Sequence, residues 1–175
     1  MSMNTPDDIL NELLDDDALD PKKLFNEKEY NTLIIDRGGF NKKENNTADL
    51  LEQLLDPNIT RIESEGIYLQ LKEMKAQKLL VNAIQKAERV EEKAILTAAC
   101  WESGLEFAGD FLFFVGLACH ENFKLAMEAL TVVQYEEGTI EEPVLKTALE
   151  MAQQTTSPNQ ELISDLKENI NSRLN

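Results

Sequence analysis

Three side chains in this sequence carry thiol or imidazole groups that could bind a metal ion or attack a substrate: Cys100, Cys119 and His120. Zinc commonly takes four ligands, often supplied as closely spaced cysteine pairs, and the sequence contains no such pair. Cys119 and His120 are adjacent, so on a helix their side chains point about 100° apart and cannot easily share one ion. We therefore interpret the cysteines as small buried residues, and we predict neither a metal site nor a nucleophilic cysteine–histidine pair.

A second candidate is the acidic run Asp15-Asp16-Asp17-Ala18-Leu19-Asp20, whose carboxylates could bind calcium. The run lacks the central glycine and the final glutamate of an EF-hand loop. We interpret it as a solvated linker that ends in a helix N-cap at Asp20. The sequence also lacks a glycine-rich phosphate loop and the serine-hydrolase and zinc-protease motifs. We therefore predict no catalytic residues, no cofactor and no enzymatic activity.

Aromatic residues followed by acids occur twice, as Trp101-Glu102 and as Tyr135-Glu136-Glu137. Both sets fall near the C-terminal end of a predicted helix, where acidic side chains oppose the helix dipole and gain no local stability. A row of aromatic and acidic side chains suits a basic or amphipathic peptide. We predict a partner-binding site here. The alternative is that both aromatic rings pack between helical hairpins while the acids are only solvated.

The net charge argues against nucleic acid and membrane surfaces as partners. The chain has 17 Lys and Arg against 33 Asp and Glu, which gives −16, whereas binding to phosphate arrays relies on cations. Most of the excess lies in two segments: residues 1–20 hold seven acids and no base, and residues 94–145 hold nine acids and one base. We therefore expect a protein or peptide partner, with the central segment as its attachment surface.

Composition and helix signals predict a cytoplasmic, all-α protein. Two cysteines form no disulfide framework, and we find no signal-peptide pattern and no apolar stretch long enough for a bilayer. Residues 59–87 read as one helical segment with a break near Gly66 or around Lys75-Ala76. Thr32–Ile35 could instead be a short strand. The other predicted helices span 6–14, 21–35, 48–55, 76–88, 90–103, 107–119, 121–137, 141–155 and 159–174.

An internal repeat at an offset of 34 residues organises the second half of the chain. Residues 95–104 align with 129–138 at four identical positions, and the apolar residues of 111–118 align with those of 145–152. The pattern predicts three antiparallel hairpins near 76–104, 107–138 and 141–174, stacked so that each buries the apolar face of its neighbour. The alternative is a compact bundle in which the hairpins are similar by coincidence.

Paired antiparallel helices at this period resemble HEAT and armadillo repeats. The runs Ala-Cys-Trp-Glu-Ser-Gly-Leu at 99–105 and Glu-Ala-Leu-Thr-Val-Val at 128–133 are similar to a group of uncharacterised bacterial HEAT-like proteins. The resemblance covers residues 76–175, and it departs from better-known HEAT repeats in lacking their regular proline and Asp/Arg positions. It implies a short right-handed α-α superhelix, an ARM-like solenoid, that acts as a binding scaffold and supplies no catalytic residues.

Together these observations predict two regions and one class of function. Residues 1–46 form a loosely packed acidic arm with one or two short helices, and residues 47–175 form the helical-repeat domain. We expect a non-enzymatic interaction module, an adaptor or scaffold. The alternative function is a small acidic chaperone or inhibitor that masks a basic partner. The predicted binding residues are Trp101, Glu102, Tyr135, Glu136 and Glu137.

Overall fold

A computed structural model of the chain describes residues 47–175. The predictions for the arm, its short helices and the alternative strand at 32–35 lie outside the described residues. From residue 47 onward every regular element is helical, which confirms the all-α prediction over that range. The α-helices are α1 (Thr47–Leu54), α2 (Arg61–Glu73), α3 (Gln77–Lys86), α4 (Val90–Glu102), α5 (Phe111–Ala118), α6 (Phe123–Tyr135), α7 (Glu142–Gln154) and α8 (Gln160–Leu174).

The break in the long helical segment falls between α2 and α3. Lys75 has a φ of +51°, a left-handed conformation that a helix cannot contain. The break around Lys75-Ala76 is thus confirmed, whereas Gly66 lies inside α2. α2 begins with a capping box, in which the Thr60 hydroxyl accepts the Glu63 N–H and the Glu63 carboxylate accepts the Thr60 N–H.

The two glycines that directly follow the predicted helices 90–103 and 121–137 behave differently. Gly104 follows α4 with a φ of +59°, in the left-handed conformation expected after a helix C-terminus. α6, in contrast, ends at Tyr135, before Gly138, so the predicted helix 121–137 is too long. The reason lies in Glu136, whose backbone is extended with a ψ of 113° and whose carboxylate accepts the Gly138 N–H at 2.7 Å. This side chain closes a turn where the helix would otherwise continue.

The helices pack as hairpins that lie side by side. α3 contacts α4, α5 contacts α6, and α7 contacts α8. In addition α4 contacts α6 and α6 contacts α8, while α5 contacts α7. The helix pair α1–α2 contacts α4. One row of helices therefore runs α4–α6–α8, and equivalent positions on these helices become neighbours in space. Over residues 47–175, no helix is long and apolar enough to cross a membrane.

The repeat alignment identifies much of the core. Phe114 and Leu130, which lie in the aligned ranges 111–118 and 129–138, are 1% and 4% exposed. On α8 an apolar stripe also faces inward: Ile163, Leu166 and Ile170 are buried. Positions that the offset of 34 places in register are buried in a single cluster, namely Leu80, Val81 and Ile84 on α3, Phe114, Val115 and Ala118 on α5, and Ala148 and Ala152 on α7.

One buried hydroxyl in α4 has no hydrogen-bond partner. Thr97 is fully buried, and its Oγ1 makes no hydrogen bond with any residue of the described range. At the equivalent position of α6, Thr131 is only half-buried and donates its hydroxyl to the Met127 carbonyl at 2.9 Å. The difference matters because an unsatisfied buried hydroxyl opposes folding.

We therefore expect Thr97→Val to raise the free energy of unfolding by about 1 kcal/mol, since valine keeps the shape and removes the hydroxyl. Urea denaturation followed by circular dichroism measures this change. Thr131→Val is the matched control and should give no gain, because it removes a satisfied hydroxyl. Destabilisation by Thr97→Val would mean that the hydroxyl is hydrogen-bonded in solution.

Candidate functional site

The two aromatic residues singled out by the repeat lie against each other. Trp101 is near the end of α4 and Tyr135 is at the end of α6, and these helices are neighbours. The ring centroids are 6.1 Å apart and the ring planes differ by 25°, so the rings are stacked. The offset of 34 residues thus brings together side chains from adjacent hairpins at one surface.

The two rings differ in exposure. Trp101 is half-buried against the core, and its Nε1 donates to the Glu128 carboxylate at 2.9 Å. Tyr135 is 70% exposed. Neither alternative drawn from the sequence describes the pair fully, because one ring is partly packed between hairpins and the other faces solvent. The indole is held in a fixed orientation by its hydrogen bond, while the phenol ring is largely exposed to solvent.

These rings form one wall of a small cleft of about 220 Å³, which we call the aromatic cleft. It lies between the C-terminal ends of α4 and α6 and the chain segment that follows α4. Two exposed carboxylates, those of Glu106 and Glu137, lie at its rim. Its lining residues are Trp101, Gly104, Leu105, Glu106, Val132, Tyr135 and Glu137.

Two of the five predicted binding residues do not line the cleft. Glu102 is exposed on α4 beside Trp101. Glu136 is only 6% exposed, and its carboxylate accepts the backbone N–H groups of Phe107 and Gly138. We therefore exclude Glu136 from the binding surface, which corrects the prediction made from its position in the sequence. Its role is structural, because it ties the segment after α4 to the turn after α6.

The hydrogen bonds of the Glu136 carboxylate explain why position 138 is a glycine. A Cβ at position 138 would lie 2.7 Å from the Glu136 Oε1 and 3.0 Å from the Ala108 Cβ. The first distance is too short for any real contact, so a larger residue would displace the carboxylate from the Gly138 N–H. The turn therefore depends on an acid and a glycine together.

Three residues that line the cleft were not predicted from the sequence: Leu105, Glu106 and Val132. The signal that could have placed two of them is Gly104, which turns the chain so that the residues after it cover the cleft. Lys72 on α2 also approaches this edge, since its Nζ would lie 3.2 Å from a Cβ on Gly104. An amino group is therefore already accommodated beside the acidic rim.

Tyr68 extends the aromatic and acidic surface towards α2. It is half-buried, and this burial raises the pKa of its phenol. A hydrogen bond with the Ser64 side chain opposes the shift, whereas the negative charges of Glu102 and Glu128 add to it. Glu102 and Glu128 thus act on Tyr68, and Glu128 also holds Trp101, so the three aromatic residues share one acidic surface.

The thiols and the histidine are arranged for packing and turn formation. Burial raises the pKa of the Cys100 thiol well above its usual range, and the thiol lies 3.4 Å from the Leu96 carbonyl. Burial also raises the pKa of Cys119, with a smaller opposing effect from Thr155 and Lys167. The His120 Nδ1 accepts the Asn122 N–H at 2.9 Å. Both thiols are therefore protonated near neutral pH, unlike a nucleophilic cysteine.

Among residues 47–175, no group of three His, Cys, Asp or Glu side chains is placed to hold a metal ion. Comparison with protein-family models, curated proteins and solved structures found no match to this chain.

Proposed function

We propose that this protein is a non-enzymatic interaction module, an adaptor or scaffold, that binds a basic or amphipathic segment of another protein in the aromatic cleft. One observation carries the proposal: Tyr135 is 70% exposed and stacked on an anchored Trp101, beside the exposed carboxylates of Glu106 and Glu137. A large aromatic side chain left this exposed contributes nothing to the core, whereas it is typical of the centre of a protein interface.

The cleft is organised before a partner arrives. The hydrogen bond from Trp101 to Glu128 fixes the indole, and the Glu136 carboxylate fixes the segment that follows α4. Binding then loses little conformational entropy, which favours affinity. The surrounding negative charge steers a cationic segment towards the cleft, because residues 94–145 hold nine acids and one base.

We also propose that helices α3 to α8 form the three-hairpin stack of a HEAT or armadillo type. The support is the row of contacts α4–α6–α8, the contact between α5 and α7, and the burial of core positions at an offset of 34 residues. A stack of this kind presents equivalent residues side by side, as it does with Trp101 and Tyr135. The cytoplasm is the compartment we propose, because Cys100 and Cys119 are free thiols.

The experiment is a binding screen of 12-residue peptides in basic, acidic, neutral and amphipathic classes against the full chain. Trp101 is the one tryptophan in the chain, so its fluorescence reports binding at the cleft directly. We expect basic or amphipathic peptides to bind, and Tyr135→Ala to weaken them at least tenfold while the circular dichroism spectrum stays unchanged. Phe123→Ala is the matched control, since Phe123 is 57% exposed at the opposite end of α6. Equal affinity in Tyr135→Ala and the unmodified chain would refute the proposal.

The second candidate is a small acidic chaperone or inhibitor that masks a basic partner by charge. The observation in its favour is a second acidic concavity of about 650 Å³ away from the aromatic cleft, lined by Asp49, Glu52, Gln53, Leu55, Asp56 and Glu92. Salt separates the two functions, because at ~0.5 M the screening length falls to roughly 4 Å. Binding that survives this salt supports the aromatic cleft, whereas binding that is lost supports masking by charge.

A further inference from the structure

We infer that the group recognised by the aromatic cleft is the guanidinium of an arginine side chain in the partner segment. This inference rests on the proposed function and specifies its chemistry. Three properties of the cleft carry it: the size of the cleft, the exposed face of the Tyr135 ring, and the charged lining side chains, which are carboxylates that accept hydrogen bonds.

The size of the cleft suits a single side chain. Pockets that hold small-molecule ligands or cofactors typically have volumes of about 300–1,000 Å³. The aromatic cleft, at about 220 Å³, lies below that range and lies open between two helix ends. It can therefore anchor one long side chain of a peptide whose backbone runs across the surface.

The exposed ring suits a flat cation. Because Trp101 covers the inner face of the Tyr135 ring, the outer face is free to stack with a ligand. A guanidinium is planar and weakly hydrated, and it stacks on aromatic faces better than an ammonium group does. The chain already contains such a contact, since the Arg173 guanidinium lies 5.7 Å from the centroid of the Phe111 ring.

The polar groups of the cleft need donors from the ligand. The Trp101 N–H is already used by Glu128, whereas the tyrosine hydroxyl and the carboxylates of Glu106 and Glu137 make no side-chain hydrogen bond with residues 47–175. A guanidinium has five N–H donors and no acceptor, and it can donate to two carboxylates while it stacks. The Lys72 amino group reaches only the edge near Gly104, on a flexible exposed side chain that a ligand can displace.

The test uses three nine-residue glycine–serine peptides that differ only in carrying three arginines, three lysines or three citrullines. Citrulline keeps the shape of arginine and removes its charge. Binding to the full chain is measured by Trp101 fluorescence and by titration calorimetry at low salt. We expect the arginine peptide to bind at least fivefold more tightly than the lysine peptide and at least tenfold more tightly than the citrulline peptide.

Variants of the chain locate the effect. Tyr135→Ala and the double change Glu106→Gln/Glu137→Gln should each abolish the preference for arginine. Glu150→Gln/Glu161→Gln is the matched control, because it removes the same charge from exposed positions on α7 and α8. An arginine preference that persists in Tyr135→Ala would overturn the inference, because the peptide would then bind elsewhere.

Two further outcomes separate this inference from the proposed function. Equal affinities for the arginine and lysine peptides, both lost in Tyr135→Ala, would overturn the recognition of guanidinium and support the interaction module. A second outcome is that the arginine peptide does not bind, while a peptide from the screen binds and loses affinity in Tyr135→Ala. This outcome would also overturn the recognition of guanidinium and support the interaction module. Failure of every peptide class in the screen would overturn both proposals.

Discussion

Replacement of Phe114 by alanine is expected to lower the free energy of unfolding by about 3–5 kcal/mol, the cost of emptying a large apolar site in a packed core. Phe114 is 1% exposed on α5 and belongs to the main core cluster. Its ring meets Phe107 and Phe113 edge to face, with centroid distances of 5.0 and 5.2 Å. The substitution therefore removes two aromatic contacts as well as buried area.

Chemical denaturation with a helical circular dichroism signal measures this loss. Phe123→Ala is the control, since that ring is 57% exposed on α6 and should cost less than 1 kcal/mol. Similar denaturation midpoints for Phe114→Ala and the unmodified chain would contradict the packing of α5 between its neighbours.

Replacement of Glu136 by alanine is expected to cost about 2–4 kcal/mol, because it leaves the backbone N–H groups of Phe107 and Gly138 without their acceptor. The neighbouring Glu137→Ala removes the same charge from an exposed side chain, so it should be nearly neutral for stability. The contrast between two adjacent glutamates separates hydrogen bonding from charge. Glu136→Gln should fall between them, because an amide keeps one acceptor oxygen and not two.

Hydrogen exchange gives a local measurement for the same prediction. The Phe107 amide should exchange faster in Glu136→Ala than in Glu137→Ala, since its buried hydrogen bond is lost. Peptide binding at the aromatic cleft should also weaken, because Leu105 and Glu106 lie on the segment that Glu136 holds. If Phe107 exchanges at the same rate in both variants, Glu136 does not hold this segment.

The helices themselves were largely predictable from local signals. The predicted helices 90–103, 141–155 and 159–174 depend on signals within a few consecutive residues, and they agree with α4, α7 and α8 to within one residue at each end. The pairing of Trp101 with Tyr135 was also accessible, because the alignment at an offset of 34 residues places them at equivalent positions of two helices that lie side by side.

What escaped prediction depends on contacts between distant segments. Glu136 and Glu137 are the same residue type, and only the fold decides that the first meets the Phe107 amide, 29 positions away, while the second faces solvent. The end of α6 was misplaced for the same reason, since the Glu136 side chain competes with the helix for the backbone. Glu106 was not predicted because it lies in a link between helices, where no periodicity indicates which way a side chain points.

The turn after α6 has a consequence for how this protein can change over evolutionary time. The carboxylate at 136 needs a neighbour at 138 without a side chain, and a side chain there would also crowd the Ala108 Cβ. A lineage that keeps the acid should therefore keep the glycine, whereas a lineage that loses the acid is released from the tighter of the two constraints on position 138. A glutamate two residues before a glycine, directly after an aromatic residue that ends a helix, is the fingerprint by which divergent descendants of this fold could be identified.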